Sequence, residues 1–204
     1  HVDAEGKPWV VEALIEVGAI VSTIEHFLDH GLGRAVLYRH RDSALAERAA
    51  KYIHDRVKKT RGRWRRPIPY DFSFDLNGYS QLFCSKLIRQ AFDGGSGGKV
   101  LLPTFTTRLD MKNRDFFDRV GATAAETFAP GDIDLEPEFD LVAEWQDYRR
   151  TSSLRLQDMM MDKVFQWMER DGWKFEETAL VRIVSLFGKA ASYLSEDAKG
   201  LLES

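Results

Sequence analysis

The order of apolar patterns along this chain limits its fold more than any other feature. Strand-length runs come first, one helix stands in the middle, and helices close the chain. Residues 9–14 (Trp-Val-Val-Glu-Ala-Leu) and 17–22 (Val-Gly-Ala-Ile-Val-Ser) are short and rich in β-branched and apolar side chains, which suits strands. Glu5-Gly6-Lys7-Pro8 reads as a hairpin turn, so His1-Val2 is expected on an incoming strand. Thr23 is placed to cap a short helix through His30, with Gly31 and Gly33 ending it, and residues 35–38 give a third strand. Asp42 caps the next helix, on which Leu45, Ala49, Ile53 and Val57 recur at helical spacing. Pro67 and Pro69 force an extended run, Tyr70-Asp71-Phe72-Ser73-Phe74-Asp75.

A further helix is predicted over Tyr79–Phe92, ended by a flexible loop, Asp93-Gly94-Gly95-Ser96-Gly97-Gly98. Another is predicted over Arg108–Val120, then turns at Gly121-Ala122 and at Ala129–Asp132. Residues 151–170 and 175–202 read as two amphipathic helices joined at Asp171-Gly172. This pattern predicts an α+β fold with an antiparallel sheet packed on helices. It divides into a domain over residues 1–150 and a helical C-terminal extension over 151–204 packed on it.

Composition narrows the classes of function. With 44% hydrophobic residues among 204, the chain can bury a real core. No run approaches the roughly 20 apolar residues of a membrane-spanning helix, so no integral membrane segment is expected. A net charge of −3 implies no particular partner. Six Lys or Arg fall between Lys58 and Arg66 with one Trp, but a single short run at a helix end reads as a solvated terminus, not as a nucleic-acid surface. Gly94-Gly95-Ser96-Gly97-Gly98-Lys99 lacks the phosphate-loop pattern and trails a helix where such a loop would open one. It reads as a linker. Met159-Met160-Met161, with Phe165 and Trp167, reads as helix packing sooner than as an acyl groove. The acidic residues show no metal-ligand spacing with the histidines, and neither metal nor cofactor is expected.

The chain has one cysteine, Cys84, and so no internal disulfide. A lone thiol is either buried packing or a nucleophile. Near the start of its helix it would meet unpaired N–H groups and a positive dipole end, which favour an anionic sulfur and an oxyanion beside it. Such a nucleophile also needs an imidazole and a polar group to orient it. Of the five histidines, His26, His30 and His54 sit on predicted helices among charged neighbours and read as surface residues. His40 lies between two arginines, an unfavourable place for a base. His1 is expected on the strand opposite Glu12, a carboxylate in an apolar run that needs a partner or an exposed end. Cys84, His1 and Glu12 are therefore the candidate catalytic residues.

Four segments in order, Trp9-Val10-Val11-Glu12-Ala13, Tyr70-Asp71-Phe72-Ser73-Phe74-Asp75, Phe83-Cys84-Ser85-Lys86-Leu87-Ile88 and Ala129-Pro130-Gly131-Asp132-Ile133 with Phe139 beyond, resemble the permuted papain-like amidases of the YiiX/YaeF type, related to NlpC/P60. The likeness covers about residues 1–143. It implies a circularly permuted papain-like fold in which the histidine precedes the cysteine. It carries the nucleophile to Cys84 and the orienting role to Glu12, with Tyr70 and Tyr79 as substrate-binding candidates. This sequence departs from the family at two places. Lys86 stands where the family often has Glu, and is expected near the mouth of the site. Only Val2 separates His1 from the turn, whereas the family's histidine has several strand residues after it. The base is therefore His1 or a residue upstream of it.

The expected function is a cysteine amidase or peptidase acting on a peptide-like substrate, by resemblance a cell-wall peptide, in the envelope or exported in preference to the cytoplasm. A thioesterase or acyltransferase acting on a lipid acyl group is the second reading. A protein that keeps the fold but only binds is the third. The oligomeric state is not legible.

Overall fold

The computed structural model describes residues 1–29, 33–61, 66–109 and 114–172. Two six-residue strands, β1 (Trp9–Leu14) and β2 (Gly18–Thr23), form an antiparallel hairpin in which Val11 faces Val21 and Ala13 faces Ala19. Those four residues pack on the core, while Val10 and Glu12 alternate to the other face. Val2 bridges Pro8 ahead of β1, so the segment from His1 runs back along it.

Helix α1 (Ile24–Asp29) follows directly, with the Thr23 hydroxyl accepting the His26 N–H. Strand β3 (Arg34–His40) leads to helix α2 (Ser43–Thr60). Asp42 caps α2 as its sequence position predicts, accepting the Leu45 N–H at 2.9 Å. Leu45, Ala49, Ile53 and Val57 are buried, the 3.6-residue stripe seen in the sequence.

Helix α3 (Cys84–Ser96) packs against α2. It begins five residues later than expected and continues through Gly94 and Gly95. These glycines are not a flexible linker. Gly94 lies under the Tyr52 ring and Gly95 under the backbone of Ala49, where a β-carbon on either would collide. They permit a close crossing of the two helices. The helix then ends on Gly97 at φ 67°.

Beyond α3 come β4 (Thr107–Arg108), α4 (Asp115–Val120), β5 (Glu126–Thr127), a 3-10 helix over Pro130–Leu135, β6 (Phe139–Gln146) and α5 (Tyr148–Asp171). β6 pairs antiparallel with β3, and β4 with β5. Among the described residues the sheet content is three separate antiparallel pairs, and with the helices it makes the α+β class expected. Helix α5 covers the first of the two C-terminal helices predicted; the second, over 175–202, lies outside the described residues. Met159, Met160 and Met161 are exposed. No helix among the described residues is long and apolar enough to cross a membrane.

Candidate functional site around Cys84

Cys84 is the first residue of α3 and its thiol is exposed. The N-cap, Phe83, is extended and offers no side-chain hydrogen bond, so no cap occupies the first-turn N–H groups. Phe83 is buried against Phe74, with ring centroids 5.6 Å apart in an edge-on contact. That anchor sets where the helix starts. Cys84 Sγ lies 3.7 Å from the buried Ser85 hydroxyl.

The run 69–73 lies alongside this helix start. Leu82 N–H donates to the Pro69 carbonyl at 3.0 Å, and Asp71 N–H donates to the Leu82 carbonyl at 3.1 Å, a parallel bridge between Tyr70 and Leu82. Tyr70 is thereby brought close to Cys84. Burial pushes the Tyr70 phenol above its usual value, and the neighbouring Cys84 and Asp71 charges add to that. Its ring meets that of Phe72 at 5.0 Å, and Phe72 is 41% exposed.

Asp71, between these two residues, forms an ion pair that sequence reasoning missed. Lys86 Nζ donates to Asp71 Oδ2 at 2.7 Å, and both residues are only 2% exposed. Lys86 also donates to the Asn77 carbonyl at 2.6 Å, and Asp71 Oδ1 accepts the Ser73 N–H and hydroxyl. Burial alone would raise the Asp71 carboxyl, but the bonds from Lys86 and Ser73 and the Lys86 charge bring it below the usual carboxylate value. Lys86 thus points into the protein and not to the mouth of the site. Its neighbours on the same helical stripe, Phe83, Leu87 and Gln90, are all buried, and a cation there requires an anion. That requirement was the available signal.

The other candidates lie apart from this group. His1 pairs with Trp9 through two backbone hydrogen bonds, of 2.7 and 3.0 Å, and its ring stacks on His54 at 4.6 Å; it is not hydrogen-bonded to Cys84. His54 is correspondingly buried, contrary to its expected surface position, because the His1 and Trp9 rings cover it. Its Nδ1 faces Asp55 Oδ1 at 3.0 Å. His40 is buried as well, between the Phe92 and Phe139 rings, with its Nδ1 accepting the Asp42 N–H. His26 is exposed, and His30 lies outside the described residues.

Glu12 accepts the hydroxyl of the buried Ser22, the partner its sequence position required. It projects from the face of β1 opposite to Trp9 and His1, so the structure does not bring His1 and Glu12 together. Tyr79 is exposed, donates its hydroxyl to Asp93 at 2.6 Å and lies under Arg56. Asp93 is nine residues beyond Cys84, about 13 Å along the helix, so Tyr79 marks the far end of α3. From the basic run, Arg61 is held by the β1–β2 hairpin, donating to the carbonyls of Ala19 at 3.0 Å and Val17 at 2.9 Å; residues 62–65 lie outside the described residues. Among the described residues no group of three or more His, Cys, Asp or Glu is placed to hold a metal ion.

Residues 1–143 match the model of a family described as permuted papain-like amidase enzymes, YaeF/YiiX, C92. No curated protein matches the chain. The fold is similar to the crystal structure of a protein titled metalloprotein yiiX from Escherichia coli O157:H7. The TM-score is 0.51 at 20% identity, over 70% of this chain and 79% of that one.

Proposed function

Because the chain belongs to the YaeF/YiiX (C92) family of permuted papain-like amidases, we propose that it is a cysteine hydrolase whose nucleophile is Cys84. The observation that carries this reading is the place of the thiol, exposed at the first residue of α3 with no capping side chain ahead of it. The sulfur attacks the carbonyl carbon of an amide, and the first-turn N–H groups stabilise the resulting oxyanion. The C–N bond then breaks, the amine leaves with a proton from an imidazole, and water releases the acid from the thioester. His1 is the candidate imidazole within this sequence. To serve, it turns from His54 toward the thiol. Likeness to NlpC/P60 in the sequence supports short cell-wall peptides as substrates and an envelope or exported location.

The test is hydrolysis of a panel of peptide amides and of acyl esters and thioesters by the wild type and Cys84→Ala, with the acyl-enzyme trapped and weighed. Turnover of a peptide amide through a mass adduct on Cys84 supports the reading. Turnover confined to esters and thioesters makes the chain an acyl hydrolase or acyltransferase, and turnover that survives Cys84→Ala refutes the nucleophile.

A further inference from the structure

We propose that the buried Asp71–Lys86 ion pair is a positioning clasp that fixes the Tyr70 and Phe72 rings beside Cys84 as an apolar subsite for the group attached to the attacked carbonyl. This rests on Cys84 being the nucleophile. Lys86 is the third residue of α3 and Cys84 the first, so the ammonium and the thiol belong to one helical turn. Asp71 stands between Tyr70, which bridges Leu82, and Phe72, the first residue of a turn over Phe72–Ser73. The carboxylate is buried on Lys86 at 2.7 Å, while the two rings meet each other at 5.0 Å.

The clasp has more than one tie. Asp71 also holds Ser73, and Lys86 holds the Asn77 carbonyl at 2.6 Å, so one buried cation and one buried anion fix the run from 71 to 77 against the helix. The two backbone bonds to Leu82 complete the register, two residues before the thiol. Phe72 is 41% exposed, an aromatic ring left at the surface next to a ring that borders the nucleophile. Such a pair recognises an apolar group, either the side chain of a peptide residue or the chain of an acyl ester.

The chain's single thiol supplies the readout. Cys84 is alkylated with iodoacetamide and with N-benzyl-iodoacetamide, and the ratio of the two rates reports the subsite independently of turnover. Phe72→Ala is expected to lower the benzyl preference at least about fivefold with circular dichroism unchanged. Lys86→Met is expected to lower it likewise, and Lys86→Arg to restore it in part. Where Lys86→Met does not fold, Asp71→Asn/Lys86→Met, which leaves no lone buried charge, is read in its place. An unchanged ratio in Phe72→Ala overturns the subsite, and an unchanged ratio in the folded pair variant overturns the clasp. Failure of both Lys86→Met and the pair variant to fold also overturns the clasp, because the pair would then be a requirement of the fold itself. Absence of any labelling in the wild type refutes Cys84 as nucleophile instead. Relative losses of Phe72→Ala on a phenylalanine-containing peptide amide and on a hexanoyl thioester separate the two sources of the apolar group.

Discussion

Gly18 turns the β1–β2 hairpin directly beneath Ile68, at φ 73°, with the Ile68 carbonyl where its β-carbon would stand. The next residue, Ala19, donates its N–H to that carbonyl at 2.8 Å, so the hairpin and the segment entering the Cys84 site share one contact. A side chain at Gly18 therefore faces both a left-handed backbone and a backbone oxygen. Gly18→Ala is expected to lose at least about 2 kcal/mol of stability, read as a drop in the urea midpoint without a change in slope.

Gly95 tests the crossing of α2 and α3. Helix propensity alone would favour alanine there by about 1 kcal/mol. The added methyl would instead press on the Ala49 backbone and part the two helices. Gly95→Ala is expected to be destabilising by about 1–3 kcal/mol. Thermal unfolding decides the sign.

The buried pair at the site carries its own stability signature. Removing Lys86 alone leaves the Asp71 carboxylate sealed from solvent without its cation. Lys86→Met is expected to cost about 3–5 kcal/mol, whereas Asp71→Asn/Lys86→Met, with neither charge, costs clearly less. Urea titrations of both at pH 7 measure the difference.

Acid titration gives an independent view of the same contact. The Asp71 carboxyl is held below its unfolded value of about 3.9, so the folded state binds fewer protons than the unfolded state in the window beneath that value. The pair's contribution is therefore complete above about pH 4 and fades as pH falls further. Wild-type stability should drop more steeply below pH 4 than that of Asp71→Asn. Parallel curves would show that the Asp71 carboxyl binds its proton equally well in the folded and unfolded states and gains nothing from Lys86.

Much of the frame was legible because it follows from local pattern. β1 has the six residues its β-branched run predicts, and Asp42 caps α2 where an acceptor precedes an apolar stripe. The start of α3 was not, because it is set by tertiary contacts. Phe83 is pulled into the Phe74 contact and Leu82 into the bridge with Tyr70, which holds residues 79–83 out of the helix that their side chains would otherwise join. The glycines at 94 and 95 read as linker because propensity sees their flexibility and not the Tyr52 ring above them. At the site, the order of motifs pointed to Cys84 and Tyr70. The Asp71–Lys86 pair joins residues 15 apart, and neither ion declares its partner until the extended run lies along the helix.

The role of Cys84 separates activity from fold more cleanly than any other position. Its thiol is exposed and its hydrogen-bond contact with Ser85 is long, at 3.7 Å, so trimming it removes little packing. Cys84→Ala should stay within about 0.5 kcal/mol of the wild type in stability, while losing hydrolysis by roughly a thousandfold or more. His1→Ala bears on the proton step. If His1 supplies the imidazole, that variant loses activity while Cys84 can still be alkylated; if another group supplies it, hydrolysis continues and only the ring contact on His54 is lost. Rates and unfolding midpoints measured on the same preparations distinguish these outcomes. A Cys84→Ala protein that unfolds with the loss of activity would mean that the thiol is a packing group.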